Sequence, residues 1–262
     1  MRKFLVPLLF TATFLVAQAQ EKVLFKLNPE YGKTNKYEFD YKIAVDRLLG
    51  MRMDNNLQTQ NTYSMQIQTT YSKTQDSLIN VANKFTQARV EINTAGTMDV
   101  SYDSSKKPLN ETEKMIATQF KPLIENKLTY VTNKSGAIKS VDFPNVSEEI
   151  FDKSNVNIFF VVTFPNHPIS IGESWTNTKL VSNDQQGLIG KTKYTLLERN
   201  NDGYKIGLNI TMENNAGEAF GSSTGYFIVH PKTYLTIASS TISTIEIQGS
   251  TVKTSTELRE IK

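Results

Sequence analysis

The 262-residue chain has no cysteine, only two histidines (His167 and His230) and a single tryptophan, Trp175. Each scarcity removes a class of chemistry. Without cysteine there is no disulfide framework, no thiol nucleophile and no lipid-bearing cysteine of the kind bacterial lipoproteins carry. The two histidines, each followed by proline, could give a metal at most two imidazoles, with no recognisable carboxylate spacing around them. They read as loop residues at strand ends, so neither metal nor cofactor is expected. A phosphate-cradling glycine loop is also missing.

Long charge runs are missing too. The formal net charge is +3, and lysines and acids are interspersed, which gives no electrostatic case for nucleic acid. With 26 acidic residues spread along the chain, any carboxylate pair chosen for glycosidase chemistry is arbitrary. Glu148-Glu149, Asp40 and Glu173 therefore read as solvated surface, and the chain is not read as an enzyme. An uncharacterised hydrolase ranks third among the functional readings.

What is present begins with an address. Arg2 and Lys3 precede an apolar run from Phe4 to Val16, and Ala17-Gln18-Ala19 offers small residues for cleavage. This is the pattern of a signal peptide over residues 1–19, and the apolar run is short for a membrane span. Export to the periplasm or beyond, without lipidation and without a membrane span after cleavage, is the expectation. The chain ends Glu260-Ile261-Lys262 and shows no aromatic girdles, so a soluble sheet is expected rather than an outer-membrane barrel.

Residues 20–262 read as one β-rich domain made of two meander halves. Tyr37, Phe39, Tyr41, Ile43 and Val45 alternate with polar residues, and the same period of two runs through Tyr63, Met65, Ile67, Thr69 and Tyr71. Asp54-Asn55-Asn56 is the expected turn between them. Thr86, Ala88, Val90 and Ile92 lead through Asn93-Thr94-Ala95-Gly96 to Met98, Val100 and Tyr102, a hairpin. A short strand is expected at Val23 to Leu27, a hairpin around Gly136, and a short helix at Val146 to Lys153. The second half restarts with Lys191 to Leu197, turns at Asn200-Asn201-Asp202-Gly203, and continues through Tyr204, Ile206, Leu208 and Ile210. Near the end, Val252, Thr254, Thr256 and Leu258 share one face.

One helix interrupts this pattern. Asn110 is placed to cap it and Glu113 follows three residues on, ahead of an apolar face of Met115, Ile116, Phe120, Leu123 and Ile124. Pro122 should kink or break it. Ile158 to Phe164 is an apolar run without alternation, expected to be covered on both sides.

The joint between the halves is the stretch from Phe164 to Trp175, marked by Pro165, Pro168 and Gly172. Trp175 is read as a core anchor, with a stacking platform for a ligand as the alternative. The architecture expected is α+β and predominantly antiparallel: a strongly curved sheet or half-barrel of two meanders joined near 164–175, with one or two helices on its concave face. A gap between helix and sheet could hold an apolar ligand, with Met115, Ile116, Phe120, Leu123, Phe160 and Trp175 as its expected lining.

Pro168-Ile169-Ser170-Ile171-Gly172-Glu173-Ser174-Trp175 resembles the Pro-x-x-apolar-Gly-Asp/Glu-Ser-Trp signature of a secreted Bacteroidota-type family, domain of unknown function 6263. Glu173 stands where that pattern favours aspartate. The resemblance implies export and transfers no catalytic residue. More loosely, a curved antiparallel sheet with helices on one face is similar to the lipoprotein carriers of the LolA and LolB type. Asp76-Ser77-Leu78 resembles an O-glycosylation acceptor, a bare surface loop being the preferred reading. Together these imply an exported envelope protein that binds or carries a lipid or other apolar small molecule; the alternative is a structural module recruiting an envelope protein.

Overall fold

The alternating runs become strands because each has one face to bury and one to leave wet. In the computed structural model the described residues are 22–46, 58–74, 78–94, 98–146, 156–180, 189–214, 216–247 and 250–261. The expected signal peptide, the turn expected at Asp54-Asn55-Asn56, Asp76-Ser77, Ala95-Gly96 and nearly all of the helix expected over Val146 to Lys153 lie outside them.

The first half contains β1 (Thr34–Asp46), β2 (Gln58–Lys73), β3 (Ile79–Thr94), β4 (Met98–Asp103), α1 (Glu111–Glu125), β5 (Lys127–Thr132) and β6 (Ile138–Asp142). After a four-residue helix α2 (Val156–Phe159) come β7 (Ser174–Leu180), β8 (Ile189–Arg199), β9 (Tyr204–Glu213), β10 (Ala219–Val229), β11 (Thr236–Ile247) and β12 (Ser250–Ile261). All twelve strands join one antiparallel sheet in the order β6-β5-β3-β2-β1-β12-β11-β10-β9-β8-β7, with β4 also beside β3. The fold is α+β, a single open sheet curled into a half-barrel.

The two meanders meet where β1 pairs with β12, from Lys36↔Ile261 to Asp46↔Thr251. Consequently β6 and β7, neighbours in sequence, stand at opposite ends of the strand order. The segment linking them has to cross the inner face. Phe143, Val146, Val156, Val161, Val162, Phe164 and Ile169 on this crossover are all buried, which makes it part of the core. Residues 22–28 lie beside it. Val23 and Ile169 exchange backbone hydrogen bonds of 2.8 and 3.0 Å, Leu27 N–H donates to Lys134 O at 2.8 Å, and Asn28 N–H donates to Thr233 O at 2.9 Å. The strand expected at Val23 to Leu27 is thus a single bridge followed by extended chain.

Both β4 and β5 pair with the same edge of β3, β5 along Ile79–Lys84 and β4 along Arg89–Thr94. The chain between them is α1, which therefore packs against β3 and β4. Asn110 Oδ1 accepts from Glu113 N–H at 2.9 Å, and Glu113 Oε2 accepts from Leu109 N–H at 2.7 Å, so the capping residues act reciprocally. Pro122 does not break the helix, which continues to Glu125 and closes with Asn126 N–H on Pro122 O.

One phase shift escaped the alternation. Ile67 pairs with Phe85 and Gln66 with Gln87, leaving Thr86 as the extra residue of a bulge. Phe85 is thereby turned inward and fully buried, while Thr86, expected on the apolar face, is exposed.

Candidate functional site

Cross-strand register sorts the inner face into rows. One runs Gly225, Thr241, Thr256, Tyr41, Tyr63, Val90; the next runs Ser223, Ser243, Thr254, Ile43, Asn61, Ile92. Neither row carries a charged side chain. A third, Ile245, Val252 and Val45, follows at one end of the sheet. The β1–β3 part of these rows is half-buried at Tyr41, Ile43, Val45, Tyr63 and Ile92.

The opposite end of the inner face is filled. Phe25 stacks on Phe164 with centroids 4.8 Å apart and meets Tyr204 and Tyr234 edge-on at 5.1 and 5.2 Å. Tyr37, Tyr71 and Tyr130 are buried together there. Tyr37 OH donates to Thr236 O at 3.2 Å, and burial pushes all three hydroxyls above the usual phenol range. A cavity of ≈ 20 Å³ remains between Tyr71, Tyr130, Phe160 and Val162, room for about one water and far less than an acyl chain needs.

A ladder of rings joins α1 to the crossover. Phe120 stacks on Tyr63 at 5.9 Å, Tyr63 on Tyr41 at 5.9 Å, and Tyr41 meets Phe159 at 6.2 Å. Phe159 and Phe160 both pack on Phe39, at 5.3 and 5.7 Å. Of the expected lining, Ile116, Phe120 and Leu123 face the sheet and are buried, and Phe160 is half-buried at the far end of the ladder. Met115 is 65% exposed, so it lines nothing on the inner face. At about 100° per residue it stands a quarter-turn from the stripe centred on Ile116, Phe120 and Leu123. Trp175 is also set apart, on β7 at the end of the strand order, stacked on Tyr194 at 5.3 Å.

The sequence marks the residues that make the half-buried surface, Tyr41, Ile43, Tyr63 and Ile92, only as the apolar faces of alternating strands. On the same face Thr241 Oγ1, Thr256 Oγ1 and Asn61 Oδ1 are buried with no hydrogen-bond partner. The available signal was the weak one that Thr254 and Thr256 share a face with Val252 and Leu258.

Neither histidine joins this surface. His230 Nδ1 accepts from the N–H groups of Lys232 and Thr233 at 3.3 and 3.2 Å, bracing the turn into β11, and His167 is exposed. Among the described residues no three His, Cys, Asp or Glu groups cluster as metal ligands, and no helix is long and apolar enough to cross a membrane. The outer face is polar, with Arg259 paired to Glu38 and Arg89 Nε 3.2 Å from Asp103 Oδ2.

The described residues form an antiparallel sheet curled over its own crossover, and one solved structure shows a similar fold. The chain resembles a structure describing lipid–protein interactions in lipovitellin at 12% identity and a TM-score of 0.54, over 89% of this chain and 25% of that one. It thus spans about a quarter of that protein's length, and the likeness is one of fold. Two further structures match 86% and 87% of the chain: an outer membrane lipoprotein-sorting protein domain from Vibrio parahaemolyticus (8% identity, 85% of that chain, TM-score 0.26) and a DUF1329 family protein from Desulfovibrio piger (7% identity, 87% of that chain, TM-score 0.25). No family model matches the chain, and no curated protein does.

Proposed function

We propose that this is an exported cell-envelope protein that binds or carries an apolar small molecule against the inner face of its half-barrel. The carrying observation is the charge-free surface of Tyr41, Ile43, Tyr63 and Ile92, which the crossover leaves half-buried while it fills the other end of the same face. Apolar surface of this kind is normally covered, and a small-molecule site is typically concave and apolar with a few polar groups. The fold shared with a structure describing lipid–protein interactions in lipovitellin supports the reading, as does the signal-peptide pattern of residues 1–19. The expected site moves accordingly, from the gap beneath α1 to the sheet surface next to it, with Phe120 and Phe160 at its borders.

Organic extraction and mass spectrometry of protein purified from its own envelope should recover a stoichiometric apolar molecule, and Ile43→Glu should abolish its retention. Clean protein that also fails to bind N-phenyl-1-naphthylamine would overturn the proposal.

A second reading rests on the sheet's ends. The outer edges of β6 and β7 have no partner strand among the described residues, and such edges accept strands from other proteins. Crosslinking in intact cells should then recover one stoichiometric envelope partner, and recovery of none would sink it.

A further inference from the structure

Thr241 and Thr256 are opposite one another on β11 and β12, are 2% and 5% exposed, and each has an Oγ1 without a partner. Buried hydroxyls are nearly always hydrogen-bonded, and two orphans side by side call for an explanation. Their neighbours are already engaged. Ser223 Oγ donates to Ser243 Oγ at 2.7 Å, and Ser239 Oγ donates to Phe159 O at 3.3 Å, so neither serine relieves the threonines. Another orphan, Asn61 Oδ1, stands two strands from Thr256 and one row nearer the half-buried end, while Asn83 Nδ2 lies toward the filled end.

Directly opposed residues on paired strands stand roughly 5 Å apart, so one small polar group can reach both threonine hydroxyls. A hydroxyl both donates and accepts and therefore suits two orphan hydroxyls. The row holding Thr241 and Thr256 and the row beside it through Ser243 and Thr254 contain no lysine, arginine or histidine, so a carboxylate or phosphate seated there would lose its hydration and gain no counter-charge. Thr256 abuts Tyr41, and one row on, Thr254 abuts Ile43. On the other side, the row of Ser239, Leu258 and Phe39 is buried under Phe159 and Phe160 of the crossover, so a chain attached to the seated group finds half-buried apolar surface only toward Ile43.

Building on the apolar-ligand reading above, we propose that Thr241 and Thr256 form the polar seat for an uncharged amphiphile bearing a hydroxyl group, whose chain lies along Ile43, Ile92 and Val252.

The test uses the full mature chain, delipidated and loaded with N-phenyl-1-naphthylamine, and follows displacement of the probe by hexadecanol, monopalmitoylglycerol and hexadecanoate at pH 8. The neutral pair should displace it at concentrations at least about tenfold lower than hexadecanoate, because the ionised head must be desolvated. Thr241→Val and Thr256→Val, tested singly and together, keep the side-chain shape. Each should weaken hexadecanol by about fivefold, the size of one hydrogen bond, while leaving the probe's own affinity unchanged. Equal displacement by hexadecanoate, or valine variants that bind hexadecanol like the parent chain, would overturn the polar seat and leave the apolar-ligand reading standing; the orphans would then be water-filled. Failure of the parent protein to bind the probe at all would overturn the apolar-ligand reading and the seat with it. The ligand ranking on the parent chain decides the matter even if a variant does not fold.

Discussion

Trp175 and Tyr194 stack with ring centroids 5.3 Å apart and planes 20° from parallel, and both reach Thr163: the indole N–H donates to its carbonyl at 2.7 Å, and its backbone also hydrogen-bonds the Tyr194 hydroxyl. The pair ties β7 and β8, at one end of the strand order, to the crossover. Trp175→Phe keeps an aromatic ring on Tyr194 but leaves the Thr163 carbonyl unpaired, which should cost about 1–2 kcal/mol. Trp175→Ala also removes the packing of a half-buried ring, and should cost about 3 kcal/mol. Urea denaturation followed by far-UV circular dichroism reads both, and a midpoint unchanged in Trp175→Ala would show that the side chain anchors nothing.

Phe25 carries a second prediction, because the N-terminal segment is core rather than tail. Its ring is enclosed by Phe164, Tyr204 and Tyr234 and is 1% exposed. Phe25→Ala should cost about 3–5 kcal/mol. Lys26→Ala, one residue on and exposed, should stay within about 0.5 kcal/mol. Thermal melts of the two variants compared side by side check this, and equal shifts would mean that the segment does not dock as described.

Much of the sheet was legible because period-two alternation records which face of a strand is buried, as at Tyr37 and Phe39 or Tyr204 through Ile210. Strand order was not. A pattern on β1 says that a partner lies on each side of it but not that one of them is β12, more than two hundred residues away, so nothing in the stretch from Phe164 to Trp175, read as a joint between halves, revealed that it also ends a crossover packed in the core. The bulge at Thr86 was invisible for a related reason: one inserted residue reverses the face assignment without changing composition. The site suffered most on β10 to β12, where Ser223, Thr241 and Thr256 point inward. Serine and threonine strands look much alike on both faces, so the polar inner surface left only the faint trace of Thr254 and Thr256 between Val252 and Leu258.

Glycine requirements separate close approach from turn geometry. A Cβ on Gly225 would come within 2.1 Å of Ser240 O and 2.8 Å of Thr241 Cα, so Gly225→Ala must push β10 away from β11 just beside the threonine pair. Gly136 combines a φ of 81° with a Cβ position 2.1 Å from Val162 O, which holds the β5–β6 turn against the crossover. Gly172 has a φ of 89° but nothing within 4 Å. Gly172→Ala should therefore cost only the left-handed backbone penalty, about 1–2 kcal/mol, and the other two variants should be well beyond it or fail to accumulate as folded protein. Expression yield and chemical denaturation of the three alanine variants give the order, and a Gly225→Ala variant as stable as Gly172→Ala would contradict the close pairing of β10 and β11.

Alkaline stability offers a check that needs few variants. Burial pushes the Tyr194 hydroxyl up to about 12, against about 10 for an exposed phenol. The folded state thus favours the neutral form, so the stabilisation is whole below pH 10 and disappears as pH rises from 10 to 12. Unfolding should become easier across that window by at most about 2–3 kcal/mol from this residue, with Tyr37, Tyr71 and Tyr130 shifted in the same direction and adding to it. Tyr194→Phe has no hydroxyl to ionise, so its melting temperature should fall less steeply than that of the parent chain above pH 10 while both stay flat between pH 7 and 9. Parallel slopes above pH 10 would show that the hydroxyl is reached by solvent in the folded protein, and that the crossover does not close over β8 at Thr163.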